Sequence, residues 1–122
     1  ESKFAWAELL RRQDRRADAV KLYKELASDV RTKEGSAAAY YVLEDVFAGG
    51  DMDKAEKAIF AYSEREPQAY WLAKAFILLG DVYVRKGDNF QARATYQSVA
   101  DGYSPADDGI VDEAKERIAK LN

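Results

Sequence analysis

"FILLGDVYV", Phe76 to Val84, is apolar and partly β-branched, with a glycine and a carboxylate at its centre. By composition it suits a buried strand. In a strand, however, Gly80 and Asp81 would point to opposite faces, and neither would have a use there. In a helix, Phe76, Leu79, Gly80 and Tyr83 fall at i, i+3, i+4 and i+7, which is one stripe with a small residue in it. Asp81 then lies about 100° further round and need not enter the core. Gly80 costs about 1 kcal/mol of helix propensity relative to Ala. That cost is offset if the glycine lets a partner helix approach closely. The segment is therefore read as helix, against its local β propensity.

Working outward, Gly87-Asp88 makes a turn, Ala92, Tyr96 and Val99 mark a second amphipathic run, and Ser104-Pro105 ends it. This order is Leu-Gly-x-x-Tyr, a Gly-Asp turn, Ala-x-x-x-Tyr, then Pro. It resembles the tetratricopeptide repeat over essentially a whole repeat, Ala73 to Pro105. One repeat earlier, Val42, Leu43 and Val46 stand in the places of Leu79, Gly80 and Tyr83, and Gly50-Asp51 in that of the turn. Ala55, Ile59 and Tyr62 follow, and Pro67 closes the unit. Leu43 replaces the small residue here, so this helix pair is expected to pack slightly wider. One repeat earlier again come Trp6, Ala7 and Leu10, then Ala19, Tyr23 and Leu26. Their turn, Gln13-Asp14-Arg15-Arg16, has no glycine. The anchor alanines Ala19, Ala55 and Ala92 are spaced slightly wider than the family's usual ~34 residues. Asp107 to Leu121 reads as a terminal helix with Ile110, Ala114, Ile118 and Leu121 on one face. Helical arrays need such a helix to cover their last apolar side, and Asp107 or Asp108 can accept from its first free amides.

The resemblance implies an all-α fold, a right-handed superhelical array of antiparallel helix pairs. It comprises three repeats (1–35, 36–72 and 73–105) and a capping helix (107–121), about seven helices in one domain, 1–122. Trp6, Tyr23, Tyr62, Tyr83 and Tyr96 are expected on packing stripes. Trp71 and Tyr70 are expected to bridge from the second repeat to the third.

Composition narrows the function. The chain has 122 residues, 48% apolar and 34% charged, with only two prolines and seven glycines. This disfavours an all-β sandwich. The formal net charge of −3 provides no global field for nucleic acid. No apolar run reaches the ~18 residues of a membrane span. Histidine and cysteine are both absent. This removes thiolate chemistry, disulfides, the common zinc sites and every imidazole-based triad. No phosphate-binding glycine pattern occurs, and no cofactor is implied. The chain opens on Glu1 without a signal-peptide pattern, as expected of an excised fragment or a mature chain. The third repeat resembles those of large bacterial tetratricopeptide-repeat proteins, some associated with the cell envelope. Bacterial cytoplasm and envelope are not distinguished.

In this family the first helices of successive repeats line a concave surface. The resemblance implies that Phe4, Glu8 and Arg11, then Tyr40, Glu44 and Phe47, then Ile77, Asp81 and Val84 face it. Each trio has i, i+4, i+7 spacing and shares a helical face. Stacked, they form an apolar column (Phe4, Tyr40, Ile77) beside an acidic one (Glu8, Glu44, Asp81). The functional reading is a groove for a protein or peptide segment with basic and apolar residues. The bland alternative is a solvated inner surface. The three acids are accordingly expected to face solvent. Of the Lys/Asn/Arg set with which some relatives grip a terminal carboxylate, only Lys74 is matched, with Tyr41 and Leu78 in polar places. At least one of Tyr40 and Tyr41 should face the groove as an anchor.

Three other features were weighed. "RRQDRR", Arg11 to Arg16, could hold an acidic partner or a phosphate, but four arginines around one turn are also cheap to expose. "GDMDKAE", Gly50 to Glu56, alternates acids like a calcium loop, yet Glu56 and Tyr62 stand where that loop needs Gly and Glu. Asp53 to Glu56 reads better as a capping box. The acidic column could in principle supply a glycosidase-like carboxylate pair, but its even repetition gives no reason for one acid to differ from another. The expectation is a non-catalytic interaction module without metal, nucleic-acid partner or membrane insertion. The alternative is a structural section of a longer helical-repeat scaffold or self-assembling protein.

Overall fold

The computed structural model describes residues 2–105 and 107–121. The ends of the expected domain, Glu1 and Asn122, and the linker residue Ala106 lie outside the described residues. Seven helices and no strand occur among the described residues: α1 (Ser2–Arg12), α2 (Arg16–Leu26), α3 (Lys33–Ala48), α4 (Met52–Glu64), α5 (Ala69–Arg85), α6 (Asn89–Gly102) and α7 (Ile110–Ala119). Each helix packs against the next in the chain, and α3 also packs on α5, and α5 on α7. Bonds across the hairpins give the direction. Tyr23 in α2 reaches Glu8 in α1, and Tyr96 in α6 reaches Asp81 in α5, each across a short turn. Such pairs, centred on the turn, require antiparallel neighbours.

The segment Phe76–Val84 is helical, within α5. Ile77, Leu78, Leu79, Val82 and Tyr83 are buried there, and Gly80 meets the ring of Tyr96. A Cβ at position 80 would collide with that ring, so the glycine is what lets α5 and α6 come together. The three anchor alanines are essentially inaccessible, at 1%, 1% and 0% exposure for Ala19, Ala55 and Ala92. The residue at the place of Tyr96 follows the size of its opposite. Tyr23 accompanies small Ala7, whereas Ile59 accompanies large Leu43, and all four are buried.

The turns follow the sequence pattern. Gly50 (φ 93) and Gly87 (φ 79) take left-handed backbone, and the aspartate after each caps the next helix. Asp51 accepts from the Lys54 amide at 3.1 Å and Asp88 from the Gln91 amide at 3.0 Å. The first turn uses Asp14 (φ 62) in the glycine's place, and Arg15 caps α2 without a side-chain bond. The capping box expected at Asp53–Glu56 is not formed. Asp51 is the cap, and Glu56 turns instead to Tyr83 and Lys86 on α5.

Helix starts precede the expected repeat boundaries by a few residues. Thr32 caps α3 through the Gly35 amide, and α5 follows Pro67-Gln68. The terminal helix is shorter than 107–121, because left-handed Gly109 (φ 89) delays its start and Asp108 receives the Ile110 amide. Trp6 is a correction to the expected packing stripe. It is 52% exposed, because no helix among the described residues lies on that side of α1. Fully buried Ser36 ties two connections together. Its hydroxyl donates to the Val30 carbonyl and accepts from the Gln68 amide, while its carbonyl accepts from Tyr62.

Candidate functional site

The face built by α1, α3 and α5 carries the ten expected groove residues in three different settings. Phe4, Glu44 and Phe47 are partly exposed, and Arg11 and Val84 are open to solvent. Tyr40 and Ile77 are not at the surface. At 5% and 2% exposure they pack between neighbouring first helices, so they back the groove and do not line it. The apolar column therefore does not exist as an exposed feature. Lys74 is spoken for by Glu113 of α7, 3.7 Å away, and lies 5.7 Å from the Tyr40 ring centre.

The acidic column is also not a row of equivalent solvated carboxylates. Glu8 accepts from the Tyr23 phenol at 2.9 Å and from Arg11 at 3.2 Å, with its side chain 19% exposed. Asp81 accepts from the Tyr96 phenol and from Arg117 of α7 at 2.9 Å, with its side chain 23% exposed. In both repeats a tyrosine on the second helix reaches the acid on the first. The middle repeat has Ile59 at that place, so no second-helix phenol reaches Glu44, which lies beside the Tyr40 phenol of its own helix and has no cationic partner among the described residues. Burial, and then the adjacent acid, push the Tyr96 phenol well above its ordinary value. Burial also raises Tyr23, with Arg11 opposing and Glu8 adding. Both phenols are therefore protonated donors at neutral pH.

Glu56 makes a similar clip between the second and third repeats. It accepts from the Tyr83 phenol at 2.8 Å and from Lys86 at 3.0 Å. Lys86 and then Tyr83 lower its pKa below the usual carboxylate range. Burial and Glu56 in turn push Tyr83 up to about 12.

Aromatic rings connect α2, α3 and α5, and Arg11 of α1 joins them. Tyr41 lies 5.0 Å from Tyr23 and 5.7 Å from Trp71, and the Arg11 guanidinium sits 4.3 Å above its ring. Tyr41, half-buried, is thus the member of the Tyr40–Tyr41 pair at the groove. Trp71 bridges α5 to α3, packing on both tyrosines. Phe4, Glu8, Lys33, Glu34, Tyr41 and Trp71 border a hollow of about 290 Å³ shared by all three helices. Tyr41 was expected there only as one of the Tyr40–Tyr41 pair, and Trp71 and Glu34 were not among the expected groove residues. Tyr41 and Trp71 are signalled by their aromatic character beside the first-helix stripes, whereas Glu34 precedes the expected repeat boundary and has no such signal.

The arginine turn is exposed but largely satisfied. Arg11 and Arg12 reach Glu8, Arg15 reaches Asp18 at 2.8 Å, and Arg16 reaches Asp45 at 3.5 Å. Among the described residues no three carboxylates converge as a metal site requires, and no helix is long and apolar enough to cross a membrane. Compared with protein-family models, with curated proteins and with solved structures, the chain matches none.

Proposed function

We propose that the chain is a non-catalytic interaction module of the tetratricopeptide kind, a right-handed superhelical array of three repeats. Its α1–α3–α5 face takes a segment of a partner protein. The observation that carries this reading is the hollow spanning the three first helices, walled by Phe4, Tyr41 and Trp71 and rimmed by Glu34. Half-buried aromatics around a concavity are typical anchors for apolar partner side chains. Glu34 offers a carboxylate to a basic residue beside that anchor, with Lys33 next to it on the same rim. The engagement of Glu8 and Asp81 by tyrosine and arginine supports structural work for those acids over acid–base chemistry. No cofactor, metal or nucleic acid is part of this reading.

The test uses the chain's two tryptophans. In a Trp6→Phe variant, Trp71 is the only indole and reports from the hollow. Peptides selected by display on the native domain should shift its emission on binding. Glu34→Lys should weaken those of basic character, and Phe90→Ser, at a site 84% exposed on α6, should leave them unaffected. Peptides that bind tightly without moving Trp71 emission would place the site elsewhere.

A second reading is a structural section of a longer scaffold. Trp6 and Leu9, 52% and 40% exposed on a face of α1 that no helix among the described residues covers, favour it. Under it, no selected peptide would bind in the hollow.

A further inference from the structure

The C-terminal ends of α3, α5 and α7 converge on a second hollow, of about 410 Å³. Its floor is apolar: Phe47 from α3, Val84 from α5 and Leu121 just beyond α7. Its rim is cationic, with Arg85, Arg117 and Lys120 against the single carboxylate of Asp81. This is a local excess of positive charge on a chain whose formal net charge is −3.

The three cations are not equivalent. Arg117 is committed to Asp81 at 2.9 Å and to Glu113 at 3.2 Å. Neither Arg85 nor Lys120 has an ion-pair partner among the described residues. Arg85 is nevertheless held in place, because its guanidinium stacks 4.9 Å from the centre of the Phe47 ring. A guanidinium over a ring keeps N–H donors that can take a carboxylate. Both cations also stand at helix C-termini, where the backbone dipole favours positive charge. That accounts for their presence there and leaves their donors free.

The geometry points to a second subsite, at the opposite end of the groove from the Phe4–Tyr41–Trp71 hollow. It takes an acidic side chain of a partner segment at Arg85 and Lys120, with a neighbouring large apolar side chain seated on Phe47, Val84 and Leu121. This rests on the reading of the α1–α3–α5 face as a segment-binding surface. It adds that the segment carries an acid where it meets α7.

The probe is a peptide, Ser-Asp-Leu-Asp-Phe-Ser, labelled at its N-terminus with an uncharged BODIPY dye and amidated at its C-terminus so that its only carboxylates are on side chains, followed by anisotropy. Saturable binding is expected, weakening as salt is raised. An Arg85→Glu, Lys120→Glu double variant should weaken it about tenfold or more, and Phe47→Ala should weaken it too. Both cations are exposed and without an ion pair, so the double variant should stay folded by circular dichroism, melting somewhat lower because acids replace bases at two helix C-termini. The Asn-for-Asp peptide should not bind. Equal binding to the native chain and the double variant, or no saturable binding, overturns the subsite. Binding only of Ser-Ser-Leu-Ser-Phe with a free C-terminus would also overturn it, since the ligand group would then be a chain-terminal carboxylate. The basic counterpart, Ser-Lys-Leu-Lys-Phe-Ser, separates the two readings. Its binding at Trp71 tests the first hollow and is expected to be indifferent to the Arg85 and Lys120 changes.

Discussion

Gly80 and Tyr96 are sized to each other. Intrinsic propensity alone would make Gly80→Ala stabilising by about 1 kcal/mol. Packing predicts the opposite sign, because the added carbon meets the ring of a tyrosine that is only 1% exposed and cannot move aside. We expect Gly80→Ala to lower stability by about 1–3 kcal/mol in urea unfolding. The middle repeat shows a second solution, Leu43 with Ile59. Gly80→Leu should therefore be severe alone and substantially relieved in a Gly80→Leu, Tyr96→Ile double variant. Strictly additive losses would show that the two positions are not coupled. The glycine was legible in the sequence because its spacing leaves one explanation. The acids were less so. The i, i+4, i+7 rule places Glu8, Glu44 and Asp81 on one face but does not say what the next helix brings to them. A signal was present in the Tyr, Ile, Tyr alternation at positions 23, 59 and 96. Its meaning depends on the reach of a phenol across an antiparallel pair, which a single-helix pattern does not contain. The outcome is measurable. Glu44→Lys should leave the melting temperature nearly unchanged, whereas Asp81→Lys should lower it sharply by setting a cation against Arg117.

Between elements, the turns and clips carry the register. Two of the three hairpin turns place glycine in left-handed backbone, and the first places Asp14 there, at φ 62. A side chain in that region costs of order 1–2 kcal/mol, somewhat less for Asp than for most residues. Asp14→Gly should therefore raise the urea midpoint modestly, with the greater flexibility of the unfolded chain taking back part of the gain. A lowered midpoint would mean that the Asp14 side chain does structural work. The clip between the second and third repeats predicts a pH dependence. Lys86 and Tyr83 depress the Glu56 pKa in the folded state. Its contribution is thus fully present above the unfolded value of about 4.3 and is lost as pH falls through the lower folded value. The stability difference between native and Glu56→Gln should be constant near neutrality and vanish in acid. A difference that grew as pH fell would reverse the assignment. This clip was misread as a capping box because Asp53-x-x-Glu56 has the right spacing. Asp51, two residues earlier, has the left-handed glycine before it and takes the cap, which leaves Glu56 free for α5.

Across the whole molecule, apolar burial is unequal. One core holds Ala7, Leu10, Ala19, Tyr23 and Ala38, and a larger one runs from Val30 to Leu121 through α3 to α7. They meet at partly buried Ala27 and Tyr41, which pack against both. Helix α5 alone buries eight residues. The first hairpin has exposed Trp6 and Leu9, an uncapped α2 and a non-glycine left-handed turn. In helical arrays stability is roughly a sum of local and nearest-neighbour contributions, so such a hairpin should open before the rest. Native-state hydrogen exchange should show α1 and α2 amides opening at lower free energy than those of α5 and α6. The tryptophans give an independent readout, Trp6 on α1 and Trp71 on α5. In single-tryptophan variants, Trp6 emission should change at lower urea than Trp71 emission. Coincident transitions, with uniform exchange protection, would mean that Ala27 and Tyr41 couple the two cores into one cooperative unit. In that case the aromatic row through Tyr41 would be a structural tie as much as a binding surface, and substitutions at Tyr41 would cost stability throughout the chain and not only in its first repeat.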